Sequence, residues 1–193
     1  NPDPALREVG DTCQQRTSDV LTRLSLSRPI YDRLASIDAA ALNPREAFLL
    51  ARNLRDYRRA GIDKDEETRD KVRALNAELA EISTAFSKNL REIQGSVQLD
   101  SIDELVGLPQ DYIDAHQPGE DGKIIITTDY PDTGPVFSYA ENEALRRDLL
   151  LATGNRAWPE NVAPLRQLLE KRYALATLLG YPNWAAYVTE DKM

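Results

Sequence analysis

The chain has 193 residues and a formal net charge of −8, with 24 Lys and Arg against 32 Asp and Glu. This length fits one domain or one large part of a bigger domain. Hydrophobic residues make up 41% and charged residues 29%, which is typical of a globular chain. Because binding to phosphates needs clustered positive charge, the acidic balance argues against nucleic acid and against an anionic membrane surface as partners.

Cysteine content and hydropathy bear on the cellular compartment in which the protein is expected. The single cysteine, Cys13, excludes an intramolecular disulfide and fits a reducing compartment. No apolar run of about 18 residues occurs, so no transmembrane helix is predicted. We therefore expect a soluble cytoplasmic protein, with the periplasm left open. The chain begins with NPDP and ends with EDKM, without an initiator Met or a terminal cap, so we expect an excised piece of a longer protein.

Helices are predicted from the start of the chain. Pro4 suits a first helical turn, and an amphipathic face repeats at steps of three and four. This face consists of Leu6, Val9, Cys13, Thr17, Val20 and Leu24. A second, shorter helix opens at Ser27. A third begins at Asn43, a typical N-cap residue before a proline, and ends at Gly61.

The longest predicted helix runs from about Asp65 to about Ile93. A helix of about 28 residues would be about 42 Å long. Its apolar residues follow steps of three and four, and charged residues fill the opposite face. The apolar set is Val72, Leu75, Leu79, Ile82, Phe86, Leu90 and Ile93.

The middle of the chain is predicted to contain a small β-hairpin, from about 123 to 139. Ser101 and Glu104 form a capping box that opens a short helix. Residues 123–128 (KIIITT) are β-branched and predict one strand, and residues 136–139 predict its partner. Residues 130–135 are expected to form the connecting loop.

Helices resume at about Glu141, with Leu145, Leu149 and Ala152 directed inward. The next helix is predicted over 161–179. Its expected inner face is Val162, Leu165, Leu169, Arg172 (by its stem) or Tyr173, and Leu178. A short helix follows Pro182. The predicted fold is therefore mainly α, a multi-helix array, and residues 1–193 form one helical segment.

Few residues could carry chemistry. A zinc site needs three or four ligands from His, Cys and carboxylates, and the chain has one histidine, His116. We expect an exposed loop histidine there, with a binding role as the alternative. Cys13 lies on the apolar face of the first helix, where we expect a buried small hydrophobe. No catalytic, cofactor-binding or metal-binding residue is assigned.

The aromatic residues allow two interpretations. They could line a groove, but core packing is the favoured interpretation, because large apolar side chains usually lie inside. The residues concerned are Tyr130, Tyr139, Trp158, Tyr181 and Trp184.

Several segments together carry a resemblance. They are NLRDYRRAG (53–61), LAEISTAFSKN (79–89), GLPQDY (107–112), YAENEALRR (139–147) followed by Asn155 and Arg156, and LLGYPNWAAY (178–187) running into EDKM (190–193). In this order and spacing the chain resembles the N-terminal helical portion of the thimet-oligopeptidase-like family of zinc metallopeptidases. The resemblance is strong from about Leu49 onward and weak over the first forty residues.

The resemblance implies a mostly helical ellipsoid split by a deep channel, with this segment forming much of one wall. It places the zinc on an H-E-x-x-H helix with a later Glu, in the other half of the molecule. The single histidine excludes that motif from this chain, which should therefore be inactive alone. The implied cofactor is zinc in the parent protein, with none bound here. The implied partners are the missing catalytic half and short peptide substrates.

Two other functions remain open. A stand-alone helical interaction module without enzymatic activity would grip a partner on an apolar helix face. A helical repeat protein is disfavoured, because no internal repeat occurs. For a peptidase fragment we expect an apolar patch that faces the missing half, through which the segment could also dimerise.

Overall fold

The structure is a computed structural model that describes residues 3–192. Asn1, Pro2 and Met193, which belong to the ends expected to be cut, lie outside the described residues. In chain order the α-helices and strands are α1 (Pro4–Ser25), α2 (Arg28–Ala35), α3 (Pro44–Arg59), α4 (Glu66–Glu92), β1 (Ser96–Leu99), α5 (Gln110–Ala115), β2 (Ile124–Thr127), α6 (Tyr130–Tyr139), α7 (Glu143–Gly154), α8 (Val162–Leu178) and α9 (Trp184–Thr189). The predicted mainly-α fold is confirmed.

The chain divides into two compact units. Unit 1 contains the residues up to Ala85 and those from Ala163 onward, and unit 2 is Phe86–Val162. That residues 1–193 are one segment of a larger peptidase stays a prediction.

The long helix is confirmed as α4, Glu66–Glu92. Asp65 precedes it, and its carboxylate accepts hydrogen bonds from the Thr68 backbone N–H at 2.8 Å and hydroxyl at 3.1 Å. These bonds satisfy a donor that the first helical turn leaves unpaired. They lower the pKa of Asp65 below its ordinary value.

Predicted caps elsewhere are also confirmed. Asn43 caps α3, and the Glu46 side chain accepts in return from the Asn43 backbone N–H, with Pro44 in the first turn. Ser101 and Glu104 form the predicted capping box, although the element that they open is a 3-10 helix, Ile102–Leu105. Local cap chemistry therefore identified where these elements begin.

The core of unit 1 is small. Its fully buried cluster is Leu26, Val72, Leu175 and Leu179. Tyr181, Trp184 and Tyr187, from the segment that carries α9, are partly buried against it. Their rings pack edge-to-face or tilted, 5.0 Å apart for Tyr181 with Tyr187 and 5.4 Å for Trp184 with Tyr187.

The core of unit 2 forms around a two-stranded antiparallel sheet of β1 and β2. Leu99 lies opposite Ile124, and Val97 opposite Ile126. Ile124 and Ile126 are buried while Ile125 is exposed, so one face of the sheet meets the core. The buried cluster is Leu99, Leu105, Leu108, Tyr112, Ile124, Ile126, Val136, Ala140, Leu145 and Leu149.

The predicted position of the hairpin was partly wrong. The strand at 123–128 exists, but its partner is β1, and residues 130–139 form α6. Pro131 lies in the first turn of α6, where a missing N–H costs nothing. The buried residues here are Thr133 and Val136 in α6 and Ala140 directly after it, spaced by three and four residues. That spacing fits a helix and would place Val136 and Thr133 on opposite faces of a strand.

Candidate functional site

His116 lies at the C-terminal end of α5 and is not the exposed loop residue that was expected. Its side chain is only 16% exposed and stacks on the Tyr112 ring, with the centroids 4.1 Å apart. Nδ1 lies 2.8 Å from the Tyr112 carbonyl oxygen, and Nε2 lies 3.1 Å from Asp132 Oδ1. Both nitrogens therefore face acceptor oxygens, and the ring joins α5 to α6.

Asp132 connects α6 to the end of β2 as well. Its Oδ2 accepts from the Thr127 backbone N–H at 2.7 Å and from the Thr127 hydroxyl at 2.5 Å. Burial, with the negative charge of Asp132 as a smaller cause, raises the pKa of Tyr112 above its ordinary value. We call Tyr112, His116, Thr127 and Asp132 the Asp132 cluster. Because its polar atoms are occupied by one another, it serves as a structural connection.

A resident zinc does not fit the part of the chain that the structure describes. Over residues 3–192, no group of three or more His, Cys, Asp or Glu side chains could hold a metal ion. The best donor, His116, already has an oxygen partner at each ring nitrogen. Across the same residues, no helix is both long and apolar enough to cross a membrane.

Cys13 is exposed on α1, so the expected burial was wrong. The physical reason is that the rest of the described chain covers little of the apolar face of α1. Among its residues, all of which the structure describes, none is buried. The exposed large apolar side chains of this helix are Leu6, Val9, Val20, Leu21 and Leu24.

The inner face predicted for α8 was also largely wrong. Leu165, Leu169 and Tyr173 are exposed, by 47%, 58% and 59%. The buried residues are instead Leu168, Leu175 and Ala176, and Leu168 and Leu175 lie on another side of the helix. Since the three exposed residues are spaced by four, they form one apolar stripe, which we call the α8 stripe. Contiguous exposed apolar surface is common where proteins bind another polypeptide.

The aromatic residues behave in two ways. Tyr130, Tyr139 and Trp158 in unit 2 are exposed, by 86%, 60% and 66%, so core packing was wrong for them. Tyr181 and Trp184 in unit 1 pack against the core as predicted.

Arg59, at the end of α3, forms an ion-pair cluster that the sequence analysis missed. Its side chain is 16% exposed and lies 2.8 Å from Glu190 and 2.8 Å from Asp191, and it donates to the Tyr187 carbonyl at 2.5 Å. Burial alone raises the pKa of Asp191, but the Arg59 guanidinium outweighs burial and holds this pKa below its ordinary value. No local sequence signal pairs Arg59 with residues so distant in the chain. For Asp132 a weak local signal existed, since it is an acidic residue next to Pro131, which is typical of a first helical turn.

Known proteins provide independent evidence. No family model matches the chain. Saccharolysin of Saccharomyces cerevisiae is 28% identical over 202 residues, covering 99% of this chain and 28% of that protein. Organellar oligopeptidase A (chloroplastic/mitochondrial) of Arabidopsis thaliana is 30% identical over 210 residues, covering 98% of this chain and 26% of that protein.

Oligopeptidase A of Escherichia coli (strain K12) is 26% identical over 209 residues, covering 98% of this chain and 31% of that protein. The chain thus spans between 26% and 31% of the length of these three relatives. They confirm that the resemblance to the thimet oligopeptidase family extends along nearly the whole chain.

Proposed function

We propose that this chain is the N-terminal, non-catalytic part of a thimet-oligopeptidase-like enzyme that hydrolyses short peptides. The observation that carries the proposal is the similarity to oligopeptidases over 98–99% of the chain, which spans less than a third of their length. The unburied apolar surfaces of α1 and α8 are consistent with a chain that packs against further polypeptide.

In this proposal the enzyme's zinc is held by residues outside the described part of the chain, because no donor group in that part fits a metal. In this proposal the chain supplies no catalytic group and instead restricts which substrates reach the active site. α4, with 27 residues and a length of about 40 Å, is a rigid element. It would form part of a channel wall that admits short, unfolded peptides and excludes folded proteins.

The α8 stripe supports the same proposal. Its residues are Leu165, Leu169 and Tyr173, and covering them would remove large apolar side chains from water. We assign the stripe to contact with the remainder of the enzyme. The alternative function, a stand-alone module that binds a partner protein, would use the same stripe but would show no hydrolysis.

The first test measures hydrolysis by the intact enzyme and by residues 1–193 alone. A quenched fluorescent short peptide and a folded protein that contains the same sequence serve as substrates. We expect the intact enzyme to cleave only the peptide, to lose activity with a chelator and to regain it with zinc. Residues 1–193 alone should cleave neither substrate, with or without zinc.

Hydrolysis by residues 1–193 alone would overturn the non-catalytic assignment. Absence of hydrolysis by the intact protein would favour the interaction module. A variant of the intact enzyme that lacks residues 1–193 tests the proposed channel wall. It should be inactive or should accept larger substrates, and unchanged size selection would contradict the wall.

A further inference from the structure

Four arginines of unit 1 line one cavity of about 400 Å³. Arg23 comes from the end of α1, Arg28 from the start of α2, and Arg69 and Arg73 from the first turns of α4. The chain as a whole carries a net charge of −8, so four guanidinium groups around one cavity stand out, and aspartates compensate three of them. We call it the four-arginine cavity.

Each arginine retains hydrogen-bonding capacity. Three of them pair with an aspartate of their own helix, namely Arg23 with Asp19, Arg28 with Asp32 and Arg73 with Asp70. Each of these contacts engages one edge of a guanidinium that has five N–H donors in a planar fork. The remaining donors suit the oxygens of phosphate or carboxylate groups.

A second observation concerns Arg69. One of its terminal nitrogens donates to the Lys64 carbonyl oxygen at 2.6 Å. Its Nε is shielded from solvent and has no hydrogen-bond partner. The donors that Arg69 can offer a ligand are therefore the N–H groups of its terminal nitrogens that the Lys64 carbonyl leaves free.

The beginning of α2 adds further donors at the same cavity. Ser27, the N-cap residue, lines the cavity, and its side chain makes no capping hydrogen bond. Its hydroxyl is therefore available to a ligand. The positive end of the helix dipole lies at this position, where it favours a bound anion.

We propose that the four-arginine cavity binds a small molecule that carries two or more phosphate groups. Several guanidinium groups around one space match a ligand with several charged oxygens better than they match a single carboxylate. The cavity volume falls within the range of about 300–1,000 Å³ that is common for small-molecule sites. The proposal does not depend on peptide hydrolysis.

The test is isothermal titration calorimetry of the intact protein with inorganic pyrophosphate, ATP and adenosine. We expect pyrophosphate and ATP to bind with one-to-one stoichiometry, adenosine not to bind, and the affinity to fall as salt is added. Tighter binding of ATP than of pyrophosphate would identify a nucleotide as the source of the phosphates. Equal binding would identify the phosphates alone.

Matched variants distinguish binding in the cavity from diffuse electrostatic attraction to the protein surface. Arg28→Gln and Arg73→Gln should each weaken pyrophosphate binding about tenfold, as expected for the loss of charge-assisted hydrogen bonds. Arg33→Gln is the control, because Arg33 lies on the same helix as Arg28, is exposed and does not line the cavity. Arg28 and Arg73 make exposed ion pairs, and Arg28 also lies over the Tyr31 ring, 5.4 Å from its centroid. Because these contacts are at the surface, the variants should remain folded, as checked by circular dichroism.

Two results would overturn the proposal. One is the absence of pyrophosphate binding at millimolar concentration. The other is an equal loss of binding in Arg33→Gln and Arg28→Gln, which would indicate diffuse electrostatic attraction. Peptide hydrolysis is not a readout, so either result leaves the peptidase proposal unaffected.

Discussion

Gly107 illustrates how much can depend on one residue. Its φ is +89°, and a Cβ atom added there would lie 2.5 Å from the Tyr139 carbonyl oxygen. Both the left-handed backbone and the close approach require glycine. The residue thus allows the chain before α5 to pass against the end of α6.

We therefore expect Gly107→Ala to lower the free energy of unfolding by at least about 1–2 kcal/mol, the cost of a left-handed residue with a Cβ. Urea unfolding followed by far-UV circular dichroism measures this. Gly154→Ala is the control in the same unit, since its Cβ would meet nothing within 4 Å at the end of α7. That variant should be at least as stable as the parent. Equal stability of Gly107→Ala and the parent would contradict the argument.

Asp191 makes a pH-dependent contribution to the free energy of unfolding. Because its folded pKa is lowered, the unfolded state takes up the proton first as the pH falls. The stabilisation is thus present above the ordinary aspartate pKa of about 3.9 and is lost as the pH falls through the folded value. Asp191→Asn should be less stable than the parent at neutral pH, and the difference should disappear in acid.

Urea unfolding followed by Trp184 fluorescence, in a Trp158→Phe background, reports on unit 1 for this comparison. Asp63→Asn serves as the control, because this carboxylate is half exposed and only approaches Lys64 at 4.0 Å. Asp63→Asn should change the free energy of unfolding little at neutral pH. A stability difference for Asp191→Asn that persists at low pH would indicate lost packing instead of a lost charge.

At the scale of elements, the Asp132 cluster connects a strand to the helix that follows it. Asp132→Ala would leave the Thr127 N–H and hydroxyl without their acceptor, at a cost of about 1–3 kcal/mol. Amide hydrogen exchange should show faster exchange at Thr127 specifically. Asp114→Ala is the control, since this exposed residue of α5 only accepts from the Gln110 side chain. Unchanged protection of Thr127 in Asp132→Ala would refute the role given to the carboxylate.

Element-scale prediction from sequence succeeded where local chemistry decides. α4 combines a long apolar repeat with an acidic N-terminus, and its predicted and observed bounds agree within one residue at each end. The prediction failed at 136–139, where β propensity favoured a strand. Pro131 and the spacing of Thr133, Val136 and Ala140 favour a helix there, and the need to cover the sheet outweighs propensity. β1 was missed because four residues give too short an alternation to recognise.

At the scale of the whole molecule, sequence periodicity identified apolar faces but not what covers them. The residues of α1 and the α8 stripe follow helical spacing, and we expected burial for Cys13 and for Leu165 and Leu169. The structure leaves all of these exposed. A hydrophobic period is the same whether the covering surface is in this chain or elsewhere. That these faces are exposed in this chain therefore became visible only from the structure.

Leu168 and Leu169 are neighbours in sequence on different faces of α8 and allow a paired test of that conclusion. Leu168 is 5% exposed and Leu169 is 58% exposed. In residues 1–193 alone, Leu168→Ala should lower the free energy of unfolding by about 2–5 kcal/mol, because it leaves a cavity in the core. Leu169→Ala should have little effect there, since its side chain already contacts water.

In the intact protein, Leu169→Ala should no longer be neutral. If the α8 stripe packs against the rest of the enzyme, Leu169→Ala there removes a buried side chain and should lower the thermal midpoint clearly. Differential scanning fluorimetry of both variants, in both chain lengths, provides the comparison. If the stripe instead mediates a dimer, residues 1–193 alone should have the mass of a dimer by light scattering, and Leu169→Ala should reduce that mass towards a monomer. No effect of Leu169→Ala in either protein would mean that nothing covers the stripe, and the proposed contact would be wrong.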